Sequence, residues 1–385
     1  MSRPGPVITA EAISREADPD SGSRLWQLTS APAIHSNIYC EVPYTDPTSR
    51  YVFYQKSVAS QGPWELWRVD LETHQMQLVC EDTVWTLGVG ISFDQRFFYC
   101  VREVGPQGLE IIRVDTTTLD IETAAFEGVP GELSSMAAIS PDLRMYYASS
   151  RLGDPAAHRF GILRFDLKTG ERQVIHERGD DLCNAHVQMD PCPPHDLLIQ
   201  HNRGALYDDV GNMLKLVDEP WATLYLIDTD GGNFRQLPVG KPWTQPCQGH
   251  QCFIGTTGEV LLTVVWDSFE QASRDGCLLK VRPGDDRARV VARGHTFMHP
   301  NASRDGRFFV TDTWAGKRIV VGSIRTGRCQ VLCESGASIG GPQYTHPHPY
   351  FTPDRRWVIF NSDTTGVPHI YAASVPAGLL EELEE

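Results

Sequence analysis

The chain has 385 residues, 41% hydrophobic and 22% charged, which fits a folded globular protein too long for one simple core. Its formal charge of -15 argues against nucleic acid or an anionic membrane surface as a partner. No apolar run reaches membrane-span length, the first 25 residues carry no apolar export segment, and the 10 cysteines show no Cys-x-x-Cys pairing. These features read as reduced thiols in a cytoplasmic protein.

Residues 1–22 are read as a flexible N-terminal segment, 23–380 as one domain, and 381–385 as a solvated acidic tail. Within the domain, helical signals are nearly absent, and short runs rich in Val, Ile, Tyr, Phe and Trp alternate with Gly, Pro, Asp and Ser clusters. A turn-then-strand phrase recurs, as Asp46 to Tyr54, Ser92 to Tyr99, Ser140 to Tyr147, Ser303 to Val310 and Thr352 to Phe360. Looser copies start near Pro193 and Gly255, making seven. Each is followed by an apolar strand ending in an aspartate turn, such as Leu66 to Asp70 or Leu163 to Asp166, and then by a short closing strand. Four strands per roughly 45–50 residues, repeated in this way, predict an all-β fold, a seven-bladed β-propeller. The strand from Leu25 to Thr29 is the natural N-terminal donor that closes the last blade. The insertion between His201 and Trp221 is too long for a tight turn and is a candidate functional loop.

Histidine keeps phase with this repeat. His299 and His348 each stand six residues before a turn aspartate, Asp305 and Asp354, and His346 stands eight before Asp354. His250 and His186 fall at comparable points of their own blades. In the segment from Gln343 to Pro349, Pro347 and Pro349 exclude a helix and confine any strand to a sheet edge. On such a strand His346 and His348 share a face, and Gln343 can turn its amide oxygen toward the same point. His299, His346, His348 and Gln343 offer three imidazoles and an amide oxygen. That set suits a borderline to hard divalent ion with open positions rather than a closed structural zinc site. His250, on a neighbouring blade, is then available as a general base.

These residues resemble the oligogalacturonate lyase family, cytoplasmic seven-bladed propellers that cleave pectin-derived oligouronides by β-elimination. The segment Gln343, His346, His348 matches its Q-x-x-H-x-H element, and His299 matches its further histidine; together they imply a manganese site. The resemblance places the proton-abstracting role on His250 and also matches His201, so His201 and His186 are expected to bind substrate. One departure stands out. Where the family carries a blade-four arginine that contacts substrate and assists catalysis, this chain has Thr223, and Arg203 in the insertion is the nearest replacement. The expected function is a metal-dependent lyase on short uronic-acid oligosaccharides, monomeric or weakly self-associating. A second reading keeps the metal and base but acts on another sugar acid as a lyase, epimerase or dehydratase. A third is a sugar-binding propeller without turnover.

Overall fold

A computed structural model describes residues 7–8, 10–60, 62–105, 108–125, 133–315 and 317–385. The chain divides into two compact units. One comprises 84–249 and 281–288, the other 2–83, 250–280 and 289–385.

The first unit is built of antiparallel sheets in chain order. One of four strands runs Leu133–Ile139, Met145–Arg151, Phe160–Asp166, Arg172–Glu177; another runs Gln188–Met189, Leu197–His201, Thr223–Ile227, Arg235–Gln236. The second unit repeats the pattern in Asn301–Ala302, Phe308–Asp312, Arg318–Ser323 and Cys329–Glu334. Its last sheet draws on both ends of the chain: Leu25–Gln27 pairs antiparallel with His369–Ser374, setting Leu25 against Ala373 and Gln27 against Tyr371. Strands Trp357–Ser362 and Tyr350–Phe351 continue that sheet.

The recurring phrase works through one turn chemistry. Ser92, Ser140, Ser303 and Thr352 each donate a hydroxyl to the aspartate two residues on, at 2.5–2.7 Å. The same oxygens accept the backbone N–H five residues on, at 2.8–3.2 Å. After each aspartate the chain turns left-handed, at Gln95, Leu143, Gly306 and Arg355. The strand-ending aspartates are tied as well: Asp166 accepts the N–H groups of Lys168 and Thr169 and pairs with Arg144 at 2.7 Å. Asp70 does the same with Glu72, Thr73 and Arg50.

Both chain ends differ from the expectation of loose segments. Residues 1–6 and 9 lie outside the described residues, but Ile13–Ser14 pairs with Trp26 and Gln27, and Val7–Ile8 pairs with Met76 and Gln77. The Glu11 carboxylate also accepts the N–H groups of Ser30 and Ala31. The last residues form helix Leu379–Glu384, whose Leu379, Leu380 and Leu383 are buried against Phe308, Val321 and Leu332. Glu384 pairs with Arg307, and Thr326 donates to the Leu383 carbonyl at 2.6 Å. The leucine spacing is the helical signal that the acidic composition of the tail obscures.

Two expectations follow. Deleting 379–385 removes three buried leucines, each worth about 1.5–3 kcal/mol, so the thermal midpoint should fall clearly; an unchanged midpoint would return this end to solvent. The second concerns His35, fully buried, with Nδ1 3.3 Å from both the Pro368 carbonyl and His369 Nδ1. Burial, reinforced by His369 and Lys56, lowers its pKa to about 3. Between the ordinary imidazole value and that point only the unfolded chain takes up this proton. Its contribution to stability is therefore complete above pH ~6.5 and is lost as the pH falls toward 3. Chemical-denaturation curves across that window should flatten by up to about 1.4 kcal/mol per pH unit in His35→Gln, and an unaltered slope would place the proton uptake elsewhere.

Candidate metal centre

Among the described residues, His299, His346 and His348 are a buried group whose ligating atoms all lie within 4.8 Å of one another. Their ring centroids are 4.3 Å apart for His299 and His348, 5.3 Å for His299 and His346, and 5.6 Å for His346 and His348.

Two of the rings, those of His299 and His346, are oriented from behind. His299 Nδ1 sits 2.9 Å from Oδ2 and 3.0 Å from Oδ1 of Asp312, and both side chains are fully buried. A carboxylate there fixes the proton on Nδ1 and leaves Nε2, buried without a hydrogen-bond partner, for a cation. His346 is turned the other way round. Its Nε2 lies 2.9 Å from the Gly340 carbonyl, so Nδ1 is the buried nitrogen left over. Burial, with His299 adding to it, lowers the His346 pKa and favours the neutral form that ligates. The donor set therefore fits a divalent cation by its own chemistry, three buried imidazoles of which two, His299 and His346, have their tautomers set from outside.

The local path differs from the extended edge strand expected. Gln343–Thr345 is a 3-10 turn, His346 is extended, and His348 takes φ +43°. The two histidines meet because the backbone turns between them, not because they alternate along a strand. Two asparagines hold that turn. Asn37 Nδ2 donates to the carbonyls of His348 at 2.8 Å and Pro347 at 3.2 Å. Asn361 donates its side chain to the Tyr344 carbonyl at 2.9 Å and its backbone N–H to that of Pro347 at 2.9 Å. Gln343 is exposed at the start of the turn, outside the buried triad.

His250 belongs to the same unit, half-buried on strand Cys247–Phe253, with its ring centroid 4.2 Å from that of His299. Gly249 before it has φ +83°, and a Cβ there would lie 2.6 Å from the Gln200 amide, so the strand breaks step just ahead of His250.

The remaining expected residues lie in the first unit. His201 is buried with Nε2 3.1 Å from Asp181 Oδ2. Although burial pushes that carboxyl up, the bonds from His201 and the Gly204 N–H bring it below its usual range. His186 is buried at φ +44°, with Nε2 3.1 Å from the Asn184 amide. Arg203 donates to the carbonyls of Trp221 at 2.6 Å, Pro220 at 3.0 Å and Lys241 at 3.1 Å. Thr223 is buried, donates to the Val239 carbonyl at 2.5 Å and accepts from Gln236 at 2.9 Å. Sequence reasoning missed Asp312, Asn37 and Asn361. None carries a motif: Asp312 acts on a partner 13 residues back and Asn361 on one 17 residues back, while the partner of Asn37 lies 311 residues on.

No family model matches the sequence. The trilobed protease of Pyrococcus furiosus contains a β-propeller domain that superposes with a TM-score of 0.53 at 12% identity, covering 89% of this chain and 94% of that one. A solved oligogalacturonate lyase in complex with manganese matches more fully, with a TM-score of 0.75 at 20% identity over 98% of this chain and 99% of that one. The scaffold is a β-propeller. Along the sequence, the oligogalacturonate lyase of Dickeya dadantii strain 3937 is 26% identical over 93% of this chain and 95% of its own. This chain is thus a relative of the oligogalacturonate lyases over nearly its whole length.

Elemental analysis should find about one divalent ion per chain in the wild-type protein and none in a His346→Ala, His348→Ala double variant. Asp312→Ala should keep the ligands but weaken metal binding roughly 10–100-fold, the usual worth of a carboxylate behind a ligating histidine. Equal metal content in all three proteins would dismiss the site.

Proposed function

We propose that the protein is a metal-dependent lyase that cleaves short uronic-acid oligosaccharides, oligogalacturonates first among them, by β-elimination. The observation that carries this reading is the geometry of the second unit: three buried, converging imidazoles with a fourth, His250, packed beside His299. We take His299, His346 and His348 as metal ligands, Gln343 at the exposed start of the turn as the fourth, and manganese as the ion. The scaffold is read as seven four-stranded blades closed by Leu25–Gln27. The ten cysteines, present as thiols, support a reducing, cytoplasmic setting.

The hydrogen at C5 of a uronate lies next to a carboxylate and is a very weak acid. A divalent cation, when bound, neutralises that carboxylate and the negative charge that develops on it. His250 supplies a neutral imidazole nitrogen that accepts the C5 proton. The released electron pair forms the C4–C5 double bond, and the C4–O bond breaks with its pair on oxygen, which then takes up a proton. No water enters the product, so no glycosidase-type pair of carboxyl groups is required. His299 stays in place throughout because Asp312 holds its other nitrogen.

Two observations favour a second reading, in which the same centre acts on a different sugar acid. Thr223, standing where the family has its arginine, is buried and already bonded on both sides. Arg203, the proposed substitute, has its guanidinium on three backbone carbonyls, as a tie across the insertion would. His201 and His186 remain candidate substrate contacts, set by Asp181 and Asn184.

A panel of short oligouronides with added manganese, followed at the near-ultraviolet absorbance of the unsaturated product, separates these readings. Product from digalacturonate supports the first; product only from another uronate supports the second; none from any uronate removes the lyase. His250→Asn should lower turnover by about 10²–10⁴-fold with metal content unchanged, and full turnover would move the base elsewhere. Arg203→Ala should reduce thermal stability while leaving turnover within a few-fold. Abolished turnover in a well-folded, metal-loaded Arg203→Ala protein would instead make it the substrate arginine.

A further inference from the structure

The loop between strands Ile34–Ser36 and Tyr51–Ser57, which holds the His348 turn through Asn37, reaches the centre a second time. Ile38 adopts φ +76°, a left-handed conformation that is a true outlier for a β-branched residue. Such strain persists only where the surroundings over-determine it, and that happens most often at functional sites. Here the surroundings are specific. On one side, Asn37 grips the Pro347 and His348 carbonyls, and its own N–H donates to Asn361 Oδ1 at 3.0 Å. On the other, Asn301 donates to the Cys40 carbonyl at 2.9 Å and accepts the Phe351 N–H at 3.2 Å. Asn301 lies two residues beyond His299, and Phe351 three beyond His348.

Between these anchors stands Tyr39, 8% exposed. Its ring centroid is 4.5 Å from His348, 6.4 Å from His299 and 6.5 Å from His250. His250 and His299 are 4.2 Å apart, and His299 and His348 4.3 Å. Ring contacts therefore run from His250 through His299 to His348, and Tyr39 completes the circuit back to His250.

We propose that Tyr39 is a positioning residue of the centre, its ring forming the wall on which both His348 and His250 are seated, so that metal ligand and proton acceptor keep one spacing. The part concerning His250 rests on the lyase reading; the part concerning His348 does not. A chain without the ring gives His348 and His250 new rotamers to occupy.

The test compares wild type with Tyr39→Phe and Tyr39→Leu. Three readouts are used: the visible absorption of the cobalt-substituted proteins, manganese affinity by calorimetry, and kcat and KM on the oligouronide that wild type turns over. The phenylalanine variant should keep the cobalt spectrum, with manganese affinity and kcat within about threefold of wild type. The leucine variant should shift the cobalt bands and lose roughly 10–100-fold in manganese affinity. At saturating metal its kcat should fall while KM changes little. A leucine variant equal to wild type in all three overturns the proposal. So does a phenylalanine variant that falls as far as the leucine one, since the hydroxyl would then be the active part. Should the leucine chain not fold, Tyr39→Met fills similar volume without a flat ring and is held to the same criteria. If wild type eliminates no uronate, the cobalt spectrum and manganese affinity still decide the seating of His348, so the two readings fail separately.

Discussion

A neutral imidazole ligates through one nitrogen and keeps its proton on the other, and for His299 an acceptor inside the core fixes which nitrogen is which. Asp312 and His299 are both fully buried, with three side-chain atoms within 3.0 Å. A carboxylate so deep is tolerable only with partners, because an unpaired buried charge costs several kcal/mol. Asp312 also accepts the His299 backbone N–H at 2.9 Å, so the pair is fixed as a unit. The Gly340 carbonyl does for His346 what Asp312 does for His299, and the two asparagines do for the His348 backbone what a strand would otherwise do. The centre is thus specified chiefly from behind, by groups that need never touch an ion or a sugar.

How much of this could be read in the sequence depends on the range of the interaction. The Ser-x-Asp turns and aspartate-ended strands are local chemistry, and they appear in the structure as hydrogen bonds within five residues. The phase of His299 and His348 was legible for the same reason, since a repeat places equivalent positions alike. The path from Gln343 to His348 was not. Proline logic gave an extended edge, but Asn37, some 310 residues away, holds His348 at φ +43° instead. Nothing within a short window could reveal that, nor that Tyr39 lies against His348. At the acidic end, charge marks 381–385 as a solvated tail, whereas Leu383 continues the buried face begun by Leu379 and Leu380.

The insertion in the first unit shows how a chemically attractive residue can have a mechanical use. A guanidinium in a long loop invites assignment to an acidic substrate. Arg203, however, meets three carbonyls belonging to both the end of its own insertion and the segment entering the next sheet. Asp181 secures the other side of the loop through His201 and the Gly204 N–H. The insertion is held at both feet, a precise mounting for whatever its tip contacts.

The unit that carries the histidines is assembled from residues near the beginning and the end of the chain, whereas the other is drawn almost wholly from the continuous stretch 84–249. On the ribosome these two cannot mature together. The central stretch has its partners as soon as it emerges, while strand Leu25–Gln27 must wait for His369–Ser374, far later in the chain. Asn37 likewise waits for Pro347 and His348. The three imidazoles can therefore come together only after His348 has been made, long after the central stretch has its partners. Such late pairing of distant segments also makes this half the slower to form.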